Sequence, residues 1–494
     1  MSFVSVAFVL LLAVVLGVRL SPWGRDRLSP VYFNVLLLAS LTFYAWHIPV
    51  YLGILLASIT IDYVAGIVIE DALPGSARRR TLLVVSLVAN LGLLATFKYA
   101  GFFGQQAAAL VPAASGWSSD LILPMGISFY TFASMSYTID VYRGELKAVR
   151  SYARFMLFVC FFPHLVAGPI VRATAFMYQL PRRRRVCWQV WSQGIYLIIF
   201  GLFLKLVIAD NIASYLVAGG GWERGYAPDA NATMSAIAAV LFSAQIFGDF
   251  AGYSSMAIGI AYLLGFRFPL NFNAPYIASS FSDFWRRWHI TLSQWLRDYL
   301  YVPLGGNRKG RVRTYINLAL VMLLGGLWHG AAWTFVLWGA IHGAALMIER
   351  VLGLGGTLVR AGSVGAAAAR APWTRRLAGG TIGLLWWCVV QVVVIVAWVF
   401  FRSRDLASAI DFLRPIALGH FQPVDYSLLD NPEQLEFVML LLVPIVVLHV
   451  RTWLAERGSL RRPGYGEKAL MSGVMVYAIL SLHGRVNSFI YFQF

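Results

Sequence analysis

Charge is what this 494-residue sequence has least of. Asp, Glu, Lys and Arg make up 13% of it and hydrophobic residues 59%, with a mean hydropathy of +0.69, so a water-facing exterior is excluded over most of the chain. Acid is scarcer than base: 22 Asp and Glu against 40 Lys and Arg leave +18 at pH 7. The basic residues sit in short loops between apolar runs, where positive-inside bias and anionic lipid headgroups account for them, and no nucleic-acid partner is expected. Cysteine is almost missing. Cys160, Cys187 and Cys388 stand apart with no CxxC or Cys/His spacing, so neither a disulfide framework nor a metal site is expected.

What the chain has instead is apolar runs of about 18 residues or more, the length that crosses the hydrocarbon of a bilayer. They recur from one end to the other and predict one all-α polytopic membrane domain over residues 1–494. Spans are expected at 3–20, 31–48, 50–69, 81–103, 121–141, 190–217 and 235–264, then a hairpin in 314–348, then 381–401, 436–450 and 470–484. The total is about eleven spans plus one or two re-entrant segments. The first run has no basic segment before it and no clear small-residue cleavage site, and reads as a retained span. Arg19, Arg25 and Arg27, then Arg78 to Arg80, mark the cytoplasmic side. Residues 104–120 and 218–232 are expected outside with both termini, and the Gly-, Ala- and Arg-rich 351–375 is expected to be a cytoplasmic linker.

Several stretches are too polar or too broken for lipid. The Ser, Thr and Tyr hydroxyls of 121–141 must find partners inside the protein. Pro163 and Pro169, with His164 and Gly168 beside them, forbid a straight helix and predict a re-entrant hairpin before Arg182 to Arg185. Asp249, in an otherwise apolar run, is either paired or functional.

The chemistry concentrates in 281–348. Phe281, Phe284, Trp285, Trp288, Trp295 and Tyr299 recur at helical spacing among charges, which predicts an amphipathic interfacial helix carrying His289. That histidine is either solvated at the interface or part of a site. LGGNRKG, 304–310, is a Gly-rich basic loop that can cradle a phosphate or simply follow the positive-inside rule, and its spacing is not that of a Walker A loop. His329 lies in a stretch without charge, beside Gly325, Gly326 and Gly330, which permit close approach of a helix or substrate. An ionisable residue there is a candidate for function, and a buried neutral imidazole keeps a lone pair for general-base work on an acceptor hydroxyl. At thirteen residues' separation, His342 would lie about 220° round a helix from His329, which argues against a direct pair.

These stretches resemble the bacterial membrane-bound O-acyltransferases, in particular the alginate O-acetylation branch. The resemblance is carried by LPMGISFYTFASMSYTIDVYRG (123–144), FFPHLVAGPIVR (161–172), DFAGYSSMAIGIAYLLGFRFPLNFNAPY (249–276), FWRRWHITLSQWLRDYLYVPLGGNRKG (284–310), LLGGLWHGAAWTFVLWGAIHG (323–343) and WVFFRS (398–403). One departure is Ser255, where the family run reads GYSDMAIG. The resemblance implies a ring of helices around a funnel or tunnel in a bacterial inner membrane, with His329 as the catalytic histidine and His289 as the second. It further implies acetyl delivered from a cytoplasmic thioester such as acetyl-CoA, with no bound cofactor. The acceptor is an exported polysaccharide, often reached through an extracytoplasmic partner of the SGNH-hydrolase type. Arg286, Arg287, Arg297, Asn307, Arg308 and Lys309 are then candidates for donor phosphates, with Asp249, Trp328 and Asp298 in support. A transporter or flippase of an acyl or lipid-linked sugar donor is the rival reading, and it leaves both histidines without a task.

Overall fold

The computed structural model describes residues 1–24, 28–110, 121–182, 186–217, 222, 231–354, 373–424, 432–461, 463–485, 487 and 489, the side chains of 109, 110 and 373–380 excepted. The expectations for Arg25 and Arg27, for Arg183 to Arg185 and for most of the loops 104–120 and 218–232 and the linker 351–375 fall outside these residues. Among them the structure is helical and contains no strand. Among the described residues, six helical stretches are long and apolar enough to cross a membrane: Tyr51–Asp71, Ala77–Ala108, Trp188–Val217, Ala232–Leu263, Thr381–Arg402 and Pro432–Glu456. Val6–Leu20 and Pro30–Ala45 are shorter apolar helices. The chain divides into two compact units, 1–199 with 253–269, and 200–252 with 270–494.

In the first unit, serines start the helices. Ser5 caps α1 (Val6–Leu20), Ser29 caps α2 (Pro30–Ala45), and Ser76 caps α4 (Ala77–Leu94), each accepting from a backbone N–H of the first turn. Between them runs α3 (Tyr51–Asp71), and α5 (Ala100–Leu110) follows α4 through a π-helical turn. The polar span is α6 (Ile127–Arg143), with 13 of its 17 residues buried. Thr138 finds an inward partner there, whereas the Tyr130 and Ser134 hydroxyls are buried without a hydrogen-bond partner among the described residues. Asp62 on α3 accepts from Ser86 Oγ at 2.6 Å, from Asn90 Nδ2 at 2.9 Å and from Thr138 of α6 at 3.4 Å. The proline-rich stretch is broken as expected, into α7 (Tyr152–Cys160), α8 (Phe162–Leu165) and α9 (Ala173–Met177), before α10 (Trp188–Leu202).

The second unit begins with a π-helical segment, Phe203–Ala209, and continues through α11 (Asp210–Val217) and α12 (Ala232–Leu263), whose end belongs to the first unit. The stretch 281–301 is not one amphipathic helix. It is α13 (Phe281–Arg287), a break at Trp288 and His289, α14 (Ile290–Leu296) and a π-helical turn. The hairpin of 314–348 is present as α15 (Gly310–His329) and α16 (Trp333–Val351). Its arms touch backbone to backbone. A Cβ on Gly326 would sit 2.3 Å from the Phe335 carbonyl, and one on Gly339 2.3 Å from that of Met322. Beyond it lie α17 (Trp373–Arg402), α18 (Leu406–Ala417), α19 (Pro432–Leu440), α20 (Leu442–Glu456) and α21 (Tyr465–Leu482).

Candidate active site

The break at His289 decides the geometry of the site. His289 has φ +41°, a left-handed conformation that a non-glycine residue adopts only when its surroundings enforce it. The enforcement comes from residues 271–273: Asn271 O accepts from Ile290 N at 2.9 Å, and Asn273 N donates to Arg287 O at 2.9 Å. With the helix broken, the aromatic residues of 281–296 turn into the protein. Phe281, Phe284, Trp288, His289 and Trp295 are all buried, so the expected interfacial belt and the solvated histidine are both corrected.

One hydrogen bond fixes the tautomer of His289. Asn271 Oδ1 accepts from the backbone N–H and the hydroxyl of Thr291, at 3.3 and 2.8 Å, and it lies 3.2 Å from His289 Nδ1. An atom that accepts from a backbone N–H is the amide oxygen, so Nδ1 is the imidazole's N–H donor. The lone pair is then on Nε2, which has no hydrogen-bond partner among the described residues.

His329 ends α15, just before the chain turns through Gly330 to Ala332. Its ring centre lies 6.4 Å from that of His289, 4.9 Å from Trp328, 5.0 Å from Trp338 and 5.4 Å from Phe401. Gly330 gives this turn its room, because a Cβ there would overlap the Phe335 ring. The turn also changes the standing of His342. The 220° separation presumes a continuous helix, and the hairpin instead places Trp338 against both histidines, 4.8 Å from His342. Both nitrogens of His342 and the indole nitrogens of Trp285 and Trp338 are buried without a hydrogen-bond partner among the described residues. Sequence reading set His342 aside, and only knowledge of the turn would have kept it.

The basic candidates separate into engaged and available groups. Arg287 is locked to Asp283 at 2.9 Å and to Glu456 at 2.8 Å. Burial alone would lower its pKa, and these carboxylates more than reverse that, holding the guanidinium above its ordinary value. Arg297 is held by Asp298 at 2.6 Å, which likewise raises it. Arg286 is exposed and carries no ion pair among the described residues. It lines a cavity of about 270 Å³ with Arg350, Leu318 and Leu346. Asn307, Arg308 and Lys309 are exposed on a loop that Asn317 Nδ2 pins through the Gly306 carbonyl at 2.9 Å. Asp249 is paired. Lys205, 44 residues earlier and not singled out in the sequence, reaches it at 2.8 Å.

The family model of the membrane-bound O-acyltransferases matches residues 143–355. A protein of Azotobacter vinelandii named "probable alginate O-acetylase AlgI" is 38% identical over 444 residues, 88% of this chain and 83% of that protein. The peptidoglycan O-acetyltransferase of Helicobacter pylori is 36% identical over 80% of this chain and 75% of its own. The teichoic acid D-alanyltransferase of Bacillus subtilis is 31% identical over 46% of this chain and 59% of its own.

Proposed function

Since the chain belongs to the membrane-bound O-acyltransferase family and is an O-acyltransferase, we propose that it moves acetyl from a cytoplasmic thioester, acetyl-CoA, toward an exported cell-surface polysaccharide. The immediate acceptor is a sugar hydroxyl or an SGNH-type extracytoplasmic partner that completes the transfer. The setting is a bacterial inner membrane, with the spans ringed around a funnel and both termini external.

The observation that carries this reading is the pair of buried imidazoles, 6.4 Å apart in an aromatic cage. His329 takes the proton of the acceptor hydroxyl as its oxygen attacks the thioester carbonyl. The C–S bond then breaks as the ester forms, and the departing thiolate recovers the proton from His329. His289 offers an acceptor at Nε2 and no donor there, which narrows its part. It can hold the acceptor hydroxyl or an N–H of His329, and it does not donate to the thioester oxygen. At the donor end, Arg286, Arg350, Arg308 and Lys309 are the cations available for phosphates, since the ion pairs of Arg287 and Arg297 occupy those two.

The test is transfer from labelled acetyl-CoA by purified protein in liposomes, followed by the same comparison on surface polysaccharide of intact cells. Replacing His329 by Ala is expected to lower turnover by about 10² or more, the lower range for loss of a general base. Full transfer by that variant would overturn the mechanism, and normal substrate movement without transfer would favour a transporter.

A further inference from the structure

A buried charge cluster in the second unit reaches toward His289 by a route that no catalytic step uses. Lys205 lies in the π-helical segment Phe203–Ala209, a wide turn of a kind that recurs at functional sites. Three partners meet its ammonium: Asp210 and Asp249 as ion pairs at 2.7 and 2.8 Å, and, as third, the backbone carbonyl of Asn487, to which it donates at 3.0 Å. Replacing a buried ion cluster with apolar packing is often neutral or stabilising, so such a cluster is weak evidence for stability. What this one does is join elements distant in sequence.

The third acceptor belongs to the C-terminal segment, which is fastened to the same turn at several points. Gly484 N donates to Leu206 O at 3.2 Å, and Asn211 Nδ2 donates to Leu482 O at 2.8 Å. Asn487 Nδ2 donates to Asp210 O at 3.2 Å. One residue beyond Asp249, the Phe250 ring stands at 89° to the His289 ring, with centres 4.7 Å apart. Phe489 packs on Phe250 at 6.0 Å. The C-terminal segment thus backs the ring that backs the imidazole.

We propose that Lys205 is a positioning residue: by fastening the C-terminal segment to the π-turn and to Asp249, it holds Phe250 against His289 and so fixes where Nε2 points. The kinetic consequence rests on the acyl-transfer reading, whereas the structural one does not. Three variants test it: Lys205→Met, a chain ending at Leu482, and Phe489→Ala, which leaves the ion cluster intact. In each, amide hydrogen exchange over residues 286–296 is expected to rise about tenfold or more as the turn loosens. The kcat is expected to fall about tenfold or more through misplacement of one group, with KM for acetyl-CoA within about twofold. A synthetic peptide of residues 483–494 is expected to restore kcat to the shortened chain when added in trans. Unchanged exchange at 286–296 in both the shortened chain and Phe489→Ala would overturn the proposal, as would a loss confined to KM. Should Lys205→Met not fold, Phe489→Ala and the peptide rescue decide. If the unchanged chain shows no transfer, the proposed function fails and the exchange measurement still decides the latch.

Discussion

Asp62 and His289 are both fully buried polar side chains, and their surroundings follow opposite rules. Around Asp62 the hydrogen bonds close on themselves: both carboxylate oxygens accept from Asn90 Nδ2, Ser86 adds a second donor, and Ser58 donates to the Asn90 oxygen. Around His289 they stop halfway. Nδ1 is bound to Asn271, while Nε2, both nitrogens of His342 and the Trp338 indole nitrogen find no partner among the described residues. Leaving a buried donor or acceptor unmet costs about 1–3 kcal/mol, so the second arrangement is a poor way to hold helices together. The closed cluster ties α3 to α4 and α6. On the function proposed above, the open one keeps hydrogen-bonding capacity for a reacting molecule.

Substitutions separate the two clusters, with effects on transfer that run from severe to none. Gly326→Val wedges α15 off α16 at their closest approach and shifts His329, and activity in liposomes is expected to drop about 10²-fold, as displacement of a reacting group by about 1 Å can do. Asn271→Leu removes the acceptor that keeps the proton on Nδ1. Turnover should fall about tenfold, the worth of one such bond, and the ¹⁵N shifts of labelled His289 should report a mixed tautomer. Arg286→Ala combined with Arg350→Ala should raise KM for acetyl-CoA a few-fold at low salt, and the effect should shrink at high salt as screening predicts. Arg297→Ala should change neither. Last, Asp62→Asn should lower stability by about 1–3 kcal/mol, read as an earlier unfolding midpoint in detergent, with transfer per folded molecule unchanged. A fall in turnover there would erase the distinction between the two clusters.

Much of this was legible in the sequence, for identifiable reasons. Hydropathy and loop charge point to a helical membrane protein because lipid leaves few alternatives. Two prolines and a glycine announce the break in 161–169, and the polarity of 121–141 announces an inward-facing helix. The two histidines stand out by their settings, and the hairpin that carries His329 follows from an uncharged stretch long enough to turn back. The break at His289 was not legible, since aromatic spacing continues across it and no Pro or Gly marks it. Its cause lies in Asn271 and Asn273, neutral residues of a loop whose pairing appears only in three dimensions. Lys205 escaped for a similar reason: a lone lysine in an apolar run reads as a blemish until Asp249 and Asp210 are seen around it.

The left-handed backbone at His289 has a consequence for anyone who would make this protein sturdier. A non-glycine residue held in that region costs roughly 1–3 kcal/mol, and glycine would sit there at ease. His289→Gly would relax the main chain and at the same time empty the volume of a fully buried imidazole, so backbone strain alone is a poor guide to a sturdier variant here.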